Sequence, residues 1–182
     1  VHIFANVSTN EEFSALCRDL YDVAITHTRE PNEGDYILWH LIGYEAKGKL
    51  YAAEGGYNID ITYSMVYHSN AEQEAAVDAA VEELLAQLNL SGRSDYEKVK
   101  AVYDYICKNV RYDKPSSGTL KHTAYAALIK KTAVCQGYAS LMYRLLLELG
   151  VDTRVIAGST SNGDHGWNIV ELENLYYNAD ST

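Results

Sequence analysis

The amino-acid sequence predicts an α+β fold in which helices pack on a mainly antiparallel sheet. Apolar residues recur at helical spacing in segments near 71–89, 95–109 and 135–149. Segments near 152–159, 165–172 and 175–180 are rich in β-branched, aromatic and apolar residues, as strands are. Because only two residues separate the last two segments, we expect them to pair as a hairpin.

The first 69 residues differ in pattern from the rest, and we predict a small α+β module at 1–69 followed by a core at 70–182. The stretch Thr9–Glu12 forms a capping box that opens a helix to about Ala24. Strands are predicted near 2–7, 35–45 and 57–68, and glycines lie between the last two. None of these glycines has the strand-loop-helix context of a nucleotide-binding motif, so we assign no chemistry to the module.

Two amphipathic helices open the predicted core. The second begins at the capping box Ser94–Glu97 and extends to about Asn109. The segment 111–121 is the most loop-like in the chain, since it contains Pro115, Ser116, Ser117 and Gly118. The first of the two helices, near 71–89, carries its apolar stripe on Val77, Ala80, Val81, Leu84, Leu85 and Leu88.

Cys135 is the strongest candidate for a reactive residue. It is the first residue of a predicted helix that ends before Gly150. A thiol at this position lies at the positive end of the helix dipole, which favours the thiolate. Free cysteine is more often an inert core residue, and this is the alternative interpretation of Cys135. The following Gln136 and Gly137 are a poor core environment, however, and they favour the reactive interpretation.

His165 and Asp180 complete the set of residues that nucleophilic acyl transfer requires. A two-residue loop at Glu173-Asn174 pairs Leu172 with Leu175. Asp180 then becomes the diagonal neighbour of His165 on one face of the hairpin, within reach of a hydrogen bond. A slip of one residue would move the carboxylate to the opposite face.

These residues resemble the transglutaminase-like superfamily, in its bacterial branch. The resemblance covers about residues 95–182 and implies a papain-like α+β core with Cys135 as nucleophile, His165 as base and Asp180 as the residue that orients the base. It rests on the stretches Val102-Tyr103-Asp104-Tyr105-Ile106, Asn109-Val110-Arg111-Tyr112-Asp113, Thr123-Ala124-Tyr125-Ala126-Ala127-Leu128, Ala133-Val134-Cys135-Gln136-Gly137-Tyr138-Ala139, His165-Gly166-Trp167-Asn168-Ile169-Val170 and Tyr176-Tyr177-Asn178-Ala179-Asp180.

The chain departs from the family pattern in three places. Gly166 stands where the family usually has alanine, and Ala179-Asp180 is followed by Ser181-Thr182 where the family usually continues with Thr-Trp. Two residues follow Asp180, whereas such cores usually continue with further strands. We therefore expect the core to be incomplete at its C-terminal end.

The expected reaction is attack of the Cys135 thiolate on an amide carbonyl of a protein or peptide substrate. The backbone N–H of Cys135 is one expected oxyanion donor, and the second is unidentified; Gln136 is a cleft candidate ranked below an upstream residue. Trp167 is expected to share a face with His165 and to form one wall of the cleft. Trp39 is expected to lie apart in the N-terminal module, so the cleft is half open.

A half-open cleft favours hydrolysis, by a peptidase or amidase, over protein-glutamine transamidation, which must exclude water. Two other interpretations stay open. One is an arylamine-type acetyltransferase, against which the lack of a basic phosphate-binding cluster argues. The other is a non-catalytic binding or structural module that retains the fold.

Composition limits the partners. A net charge of −10 argues against nucleic-acid binding, and no apolar run of membrane-spanning length is present. The histidines and cysteines lack zinc-ligand spacing, so neither a metal nor a cofactor is expected. Cys17 and Cys107 are interpreted as structural. Secretion or a cell-surface location is expected, with a cytoplasmic location and the oligomeric state left open.

Overall fold

The computed structural model describes residues 1–113, 117–161 and 163–182. The chain forms two compact units, of which the first comprises residues 1–26 and 41–67 and the second comprises residues 27–40 and 68–182. The loop predicted around Pro115 and Ser116 lies outside the described residues.

The first unit is a helix packed on a three-stranded antiparallel sheet of order β1-β3-β2. The elements are β1 (His2–Ala5), helix α1 (Asn10–Ala24), β2 (Leu41–Ala53) and β3 (Gly56–Tyr67). The predicted capping box is confirmed, since the Thr9 hydroxyl accepts from the backbone N–H of Glu12 and the Glu12 carboxylate accepts from that of Thr9. The small core of this unit is formed by Val7, Cys17, Ile59 and Ile61.

The strand predicted near 35–45 is wrong over its first half, because Asp35–His40 is a short helix, α2. Asp35, Tyr36 and His40 are buried there, at a spacing that places them on one side of a helix. The Tyr36 and His40 rings lie 4.2 Å apart between centroids, a contact that the extended backbone of a strand would not allow. Burial of this helical face therefore overrides the apparent strand pattern.

Within the described residues, the second unit contains α2, four further α-helices, a short 3-10 helix (Leu120–His122) and two small sheets. The helices predicted near 71–89, 95–109 and 135–149 are confirmed within one residue at each end. The elements are α3 (Ala71–Leu88), α4 (Asp95–Asn109), β4 (Arg111–Tyr112), α5 (Ala124–Leu128), β5 (Thr132–Ala133), α6 (Cys135–Glu148), β6 (Thr153–Thr160), β7 (Gly163–Leu172) and β8 (Leu175–Ala179).

Helix α6 is the centre of this unit. The sequence predicts one apolar stripe, whereas every residue from Gly137 to Leu147 is buried. The helix contacts α2, α4, α5, β6 and β7, so it has no solvent-facing side along this stretch. Arg144 is accommodated because its guanidinium pairs with Asp78 at 2.9 Å and Glu148 at 3.0 Å.

The antiparallel sheet β6-β7-β8 has the predicted hairpin register. Leu172 pairs with Leu175, and the ladder continues to Asn168 and Ala179. Both turn residues, Glu173 (φ 53°) and Asn174 (φ 63°), adopt the left-handed conformation, as a type I′ turn requires. The strands predicted near 152–159, 165–172 and 175–180 are therefore confirmed.

Residues 27–40, which we call the strap, pack with the second unit although they lie between α1 and β2 in the chain. The Asp35 carboxylate accepts from the Arg154 guanidinium at 2.8 and 2.9 Å and from the backbone N–H of Val155 at 2.8 Å. Because of these contacts the strap belongs to the second unit, whereas the sequence predicts it as part of the module at 1–69. That residue 69 separates two folding domains stays a prediction.

Candidate active site

Cys135 begins α6, as the sequence predicts, and its side chain is partly buried. The residue before it, Val134, adopts the extended N-cap conformation, and no side chain in the described part of the chain caps the helix there. The N–H groups of Gly137 and Tyr138 bond to the carbonyl of Val134, which leaves those of Cys135 and Gln136 without a partner inside the helix. A thiolate at Cys135 lies where these groups and the helix dipole stabilise negative charge.

His165 and Asp180 are brought together by the hairpin. The imidazole Nε2 of His165 lies 2.7 Å from a carboxylate oxygen of Asp180, whose other oxygen accepts from the backbone N–H of Thr182 at 3.1 Å. Burial opposes ionisation of Asp180, but the hydrogen bonds from His165 and Thr182 outweigh it and lower the pKa of this carboxyl. With Nε2 held by Asp180, Nδ1 is the nitrogen of His165 that can exchange a proton with a thiol.

Strand β7 meets the start of α6 at Gly166. A Cβ on Gly166 would lie 3.9 Å from the Cα and 4.0 Å from the backbone N of Gln136. The residue after the candidate base thus contacts the residue after the candidate nucleophile. Further along, the Asn168 amide donates to the carbonyl of Ala139 at 3.1 Å and fixes the same pair of elements.

Trp167 stacks on the imidazole of His165, with ring centroids 5.7 Å apart and planes 19° apart. Its indole N–H donates to the Asn178 side chain at 2.8 Å, which holds the ring in place. The ring passes over Gly158, where an added Cβ would lie 2.8 Å from it. Trp167 therefore lies against the candidate base, on the face that strand alternation predicts.

The Gln136 side chain is occupied within the protein. Its amide N–H donates to the carbonyl of Trp39 in the strap, and the same side chain hydrogen bonds to His122. Trp39 therefore lies beside the residue that follows Cys135, contrary to the expectation that it lies apart. The segment 35–40 folds as a helix of the second unit, which brings Trp39 to this position.

Tyr112 is a residue of the site that the sequence did not single out. Strands β4 and β5 pair in parallel with Tyr112 beside Ala133, two residues before Cys135. The Tyr112 hydroxyl lies beside Cys135, close enough for its pKa to respond to the backbone N–H and the side chain of that residue. Burial raises the pKa of Tyr112 and the nearby Cys135 thiol raises it further, so the phenol keeps its proton. The available signal was its place in the Asn109–Asp113 stretch that resembles the family.

The two other cysteines lie in different environments. Cys17 is buried in the first unit, as predicted, and burial raises the pKa of its thiol. Cys107 is exposed, and its thiol lies 3.6 Å from the carbonyl oxygen of Ser181. Within the described ranges, no group of three or more His, Cys, Asp or Glu side chains is arranged to hold a metal ion. No helix in those ranges is both long and apolar enough to cross a membrane.

The fold and the site together define an α+β protein with a cysteine at the start of a central helix and a His–Asp pair on the adjoining hairpin. A family model of the transglutaminase-like superfamily matches residues 82–181, more than half of the chain. The chain belongs to the transglutaminase-like superfamily, which confirms the resemblance inferred from its motifs.

Curated relatives and solved structures agree with this assignment. The chain is 28% identical over 124 residues to the mouse kyphoscoliosis peptidase and 27% identical over 132 residues to the human one, covering 60% and 64% of the chain. In each case the match spans 19% of the relative's length.

Two solved structures share the fold. A structure described as a TGase aligns with a TM-score of 0.55 at 16% identity, over 100% of this chain and 50% of that one. A "putative cysteine protease" from Cytophaga hutchinsonii aligns with a TM-score of 0.50 at 14% identity, over 79% of this chain and 66% of that one.

Proposed function

We propose that the protein is a cysteine-dependent enzyme that cleaves amide or peptide bonds of proteins or peptides through a thioester. Cys135 is the nucleophile, His165 the general base and acid, and Asp180 the residue that orients the imidazole. The observation that carries the proposal is the 2.7 Å contact between His165 and Asp180. His165 lies on β7, and the next residue of that strand, Gly166, adjoins the first turn of the helix that Cys135 begins.

In the acylation step, the thiolate of Cys135 attacks the carbonyl carbon and the carbonyl electron pair moves onto oxygen. The backbone N–H of Cys135 and the hydroxyl of Tyr112 donate to this oxyanion, which makes Tyr112 the upstream donor that the sequence left unidentified. His165 gives its Nδ1 proton to the leaving amine as the C–N bond breaks. Asp180 holds the imidazole through Nε2 and stabilises its positive charge.

In the deacylation step, Nδ1 of His165 takes a proton from water, the hydroxide attacks the thioester, and the C–S bond breaks to release acid and thiol. Water is favoured over an amine as acceptor because the candidate base and its partner are open to solvent. The His165 side chain is 21% exposed and that of Asp180 is 44% exposed. Water is present at about 55 M, so an amine acceptor could outcompete it only in a site that excludes water.

The relatives support the hydrolytic reaction, since the mouse and human proteins are named peptidases. The proposal concerns only the segment that the chain shares with them, and the natural substrate is defined no more closely than a protein or peptide. Secretion or cell-surface display remains a prediction from the sequence.

The proposal is tested by incubating the purified protein with glutamine-containing peptides and a primary amine, and by following the products with mass spectrometry. We expect cleaved or deamidated peptide, and we expect Cys135→Ala to abolish turnover while the fold is retained. Cys107→Ala is the matched control because Cys107 is also solvent-accessible.

Each other outcome has a definite meaning. Amine adduct without hydrolysed product would replace hydrolysis by transamidation. Absence of turnover in the wild-type protein would favour the binding-module interpretation. Full activity in Cys135→Ala would exclude Cys135 as the nucleophile.

A further inference from the structure

Gln136 joins the start of α6 to the strap. Its amide N–H donates to the main-chain carbonyl of Trp39, and its backbone adjoins β7 at Gly166. We propose that Gln136 is a positioning residue that fixes the first turn of α6, and with it the N–H and thiol of Cys135, against the strap. This inference rests on the proposed acyl-transfer function and assigns the strap a part in the same site.

The first turn of α6 requires such a fixation because it lacks the usual one. The N-cap residue is Val134, whose apolar side chain cannot cap the helix. Side-chain caps fix the entry of the chain into a helix, as Ser94 and Glu97 do at α4. In α6 the side chain of the second helical residue takes over this task by bonding to a neighbouring segment.

The strap is a suitable anchor because its own position is fixed by buried polar contacts. The Asp35 carboxylate is 3% exposed and accepts hydrogen bonds from Arg154 and from the backbone of Val155. At the next residue, the Tyr36 hydroxyl donates to Glu74 at 2.7 Å. The cost of leaving any of these buried groups unpaired keeps the strap in place.

His40 closes the strap directly after Trp39. Its Nδ1 lies 2.6 Å from the carbonyl of Tyr36, and its Nε2 lies 3.3 Å from the backbone N–H of Ala124. A carbonyl needs a donor and an N–H needs an acceptor, so these contacts fix the neutral imidazole with its proton on Nδ1. The Trp39 carbonyl that receives the Gln136 hydrogen bond is thus held on both sides along the chain.

A carboxamide is the side chain that suits position 136. It donates to the Trp39 carbonyl, and its oxygen accepts from His122. Gln136→Glu keeps the acceptor but places an oxygen against the Trp39 carbonyl, and Gln136→Leu removes both interactions at similar size.

The test compares Gln136→Leu, Gln136→Glu and Arg154→Gln, alone and combined, below the melting temperature of the least stable protein. Arg154→Gln removes the charged partner that Asp35 of the strap has in β6. Because small displacements of reacting groups reduce turnover strongly, we expect each Gln136 variant to lower kcat by about 10- to 100-fold with KM unchanged. Gln87→Leu is the matched control, since the Gln87 amide lies on the surface of α3 and bonds to the exposed Glu83.

The double variant separates positioning from a direct role. If Gln136 acts through the strap, Gln136→Leu with Arg154→Gln loses no more activity than the more damaging single change. Losses that multiply, or an unchanged kcat in Gln136→Leu, would overturn the proposal.

Hydrogen exchange supplies a readout that does not depend on catalysis. Peptides covering residues 35–40 are expected to exchange faster in Gln136→Leu than in the wild type and in Gln87→Leu, and equal exchange would refute the link to the strap. A wild-type protein without turnover would refute the proposed function and leave this comparison valid as a test of the Gln136 contact.

Discussion

Replacing Gly166 by alanine tests how closely β7 approaches the start of α6. An added Cβ would lie 3.7 Å from the Ile156 carbonyl oxygen and 3.9 Å from the Gln136 Cα, which are ordinary van der Waals distances. The backbone of Gly166 is outside the left-handed region, so alanine adopts it without strain. Because alanine has less freedom in the unfolded chain, we expect stabilisation by about 0.4–1 kcal/mol.

Gly137, in the first turn of α6, provides the matched control. A Cβ there would lie 2.8 Å from the Lys121 carbonyl oxygen, 2.8 Å from the Ala133 Cβ and 2.9 Å from the Thr123 carbonyl oxygen. These neighbours include main-chain atoms that cannot turn aside. Gly137→Ala is therefore expected to cost about 1–3 kcal/mol, as overpacking of a core does.

The two variants are compared by urea denaturation, thermal unfolding and peptide turnover. For a chain of this size, Gly166→Ala should raise the melting temperature by about 1–4 °C with activity retained, and Gly137→Ala should lower it. A destabilised Gly166→Ala protein would mean that β7 lies closer to α6 than the structure indicates. A neutral Gly137→Ala protein would contradict the tight packing at the candidate nucleophile.

Three further predictions concern the site. Asp180→Ala should lower kcat by orders of magnitude without abolishing it, because Asp180 orients His165 and does not react; wild-type turnover would contradict its role. Tyr112→Phe should lower kcat by about 10²- to 10³-fold, the usual loss on removing one oxyanion donor. Tyr138→Phe, which changes the neighbouring ring, should leave kcat unchanged. Higher activity in Tyr112→Phe would mean that the hydroxyl obstructs the site of Cys135 and is not an oxyanion donor. The lowered pKa of Asp180 means that its contribution to stability is present above the ordinary value of 3.8 and is lost as the pH falls through the lower folded value, so the urea midpoints of wild type and Asp180→Asn should differ at pH 6 and begin to approach each other only as the pH falls below 3.8.

The hairpin and the His–Asp pair were predictable because their signals are local. A two-residue connection fixes the register, and period-two alternation then decides which side chains share a face. Tyr112 was not predictable in this way, because β4 and β5 are two residues long and pair across twenty residues of chain. Such short strands carry no periodicity, and only tertiary contacts reveal them.

The strap shows the same limitation in a different form. The segment at 35–40 is predicted as part of a strand, and its helical conformation is explained by burial of Asp35 and His40 against elements distant in sequence. The position of Trp39 follows from that burial. Polar contacts over more than eighty residues of chain separation, such as those from Asp35 to Arg154 and from Ala124 to His40, leave no pattern in the local sequence.

Burial of α6 on all sides links the lifetime of the site to that of the whole second unit. A helix at the rim of a protein frays and opens locally, whereas amides in a fully enclosed helix exchange only when the surrounding core opens. Because the segment 137–147 is buried, we expect it to belong to the slowest-exchanging part of the molecule. A thiol attached to the first turn of such a helix keeps its geometry until global unfolding, so activity and tertiary structure should disappear at the same denaturant concentration.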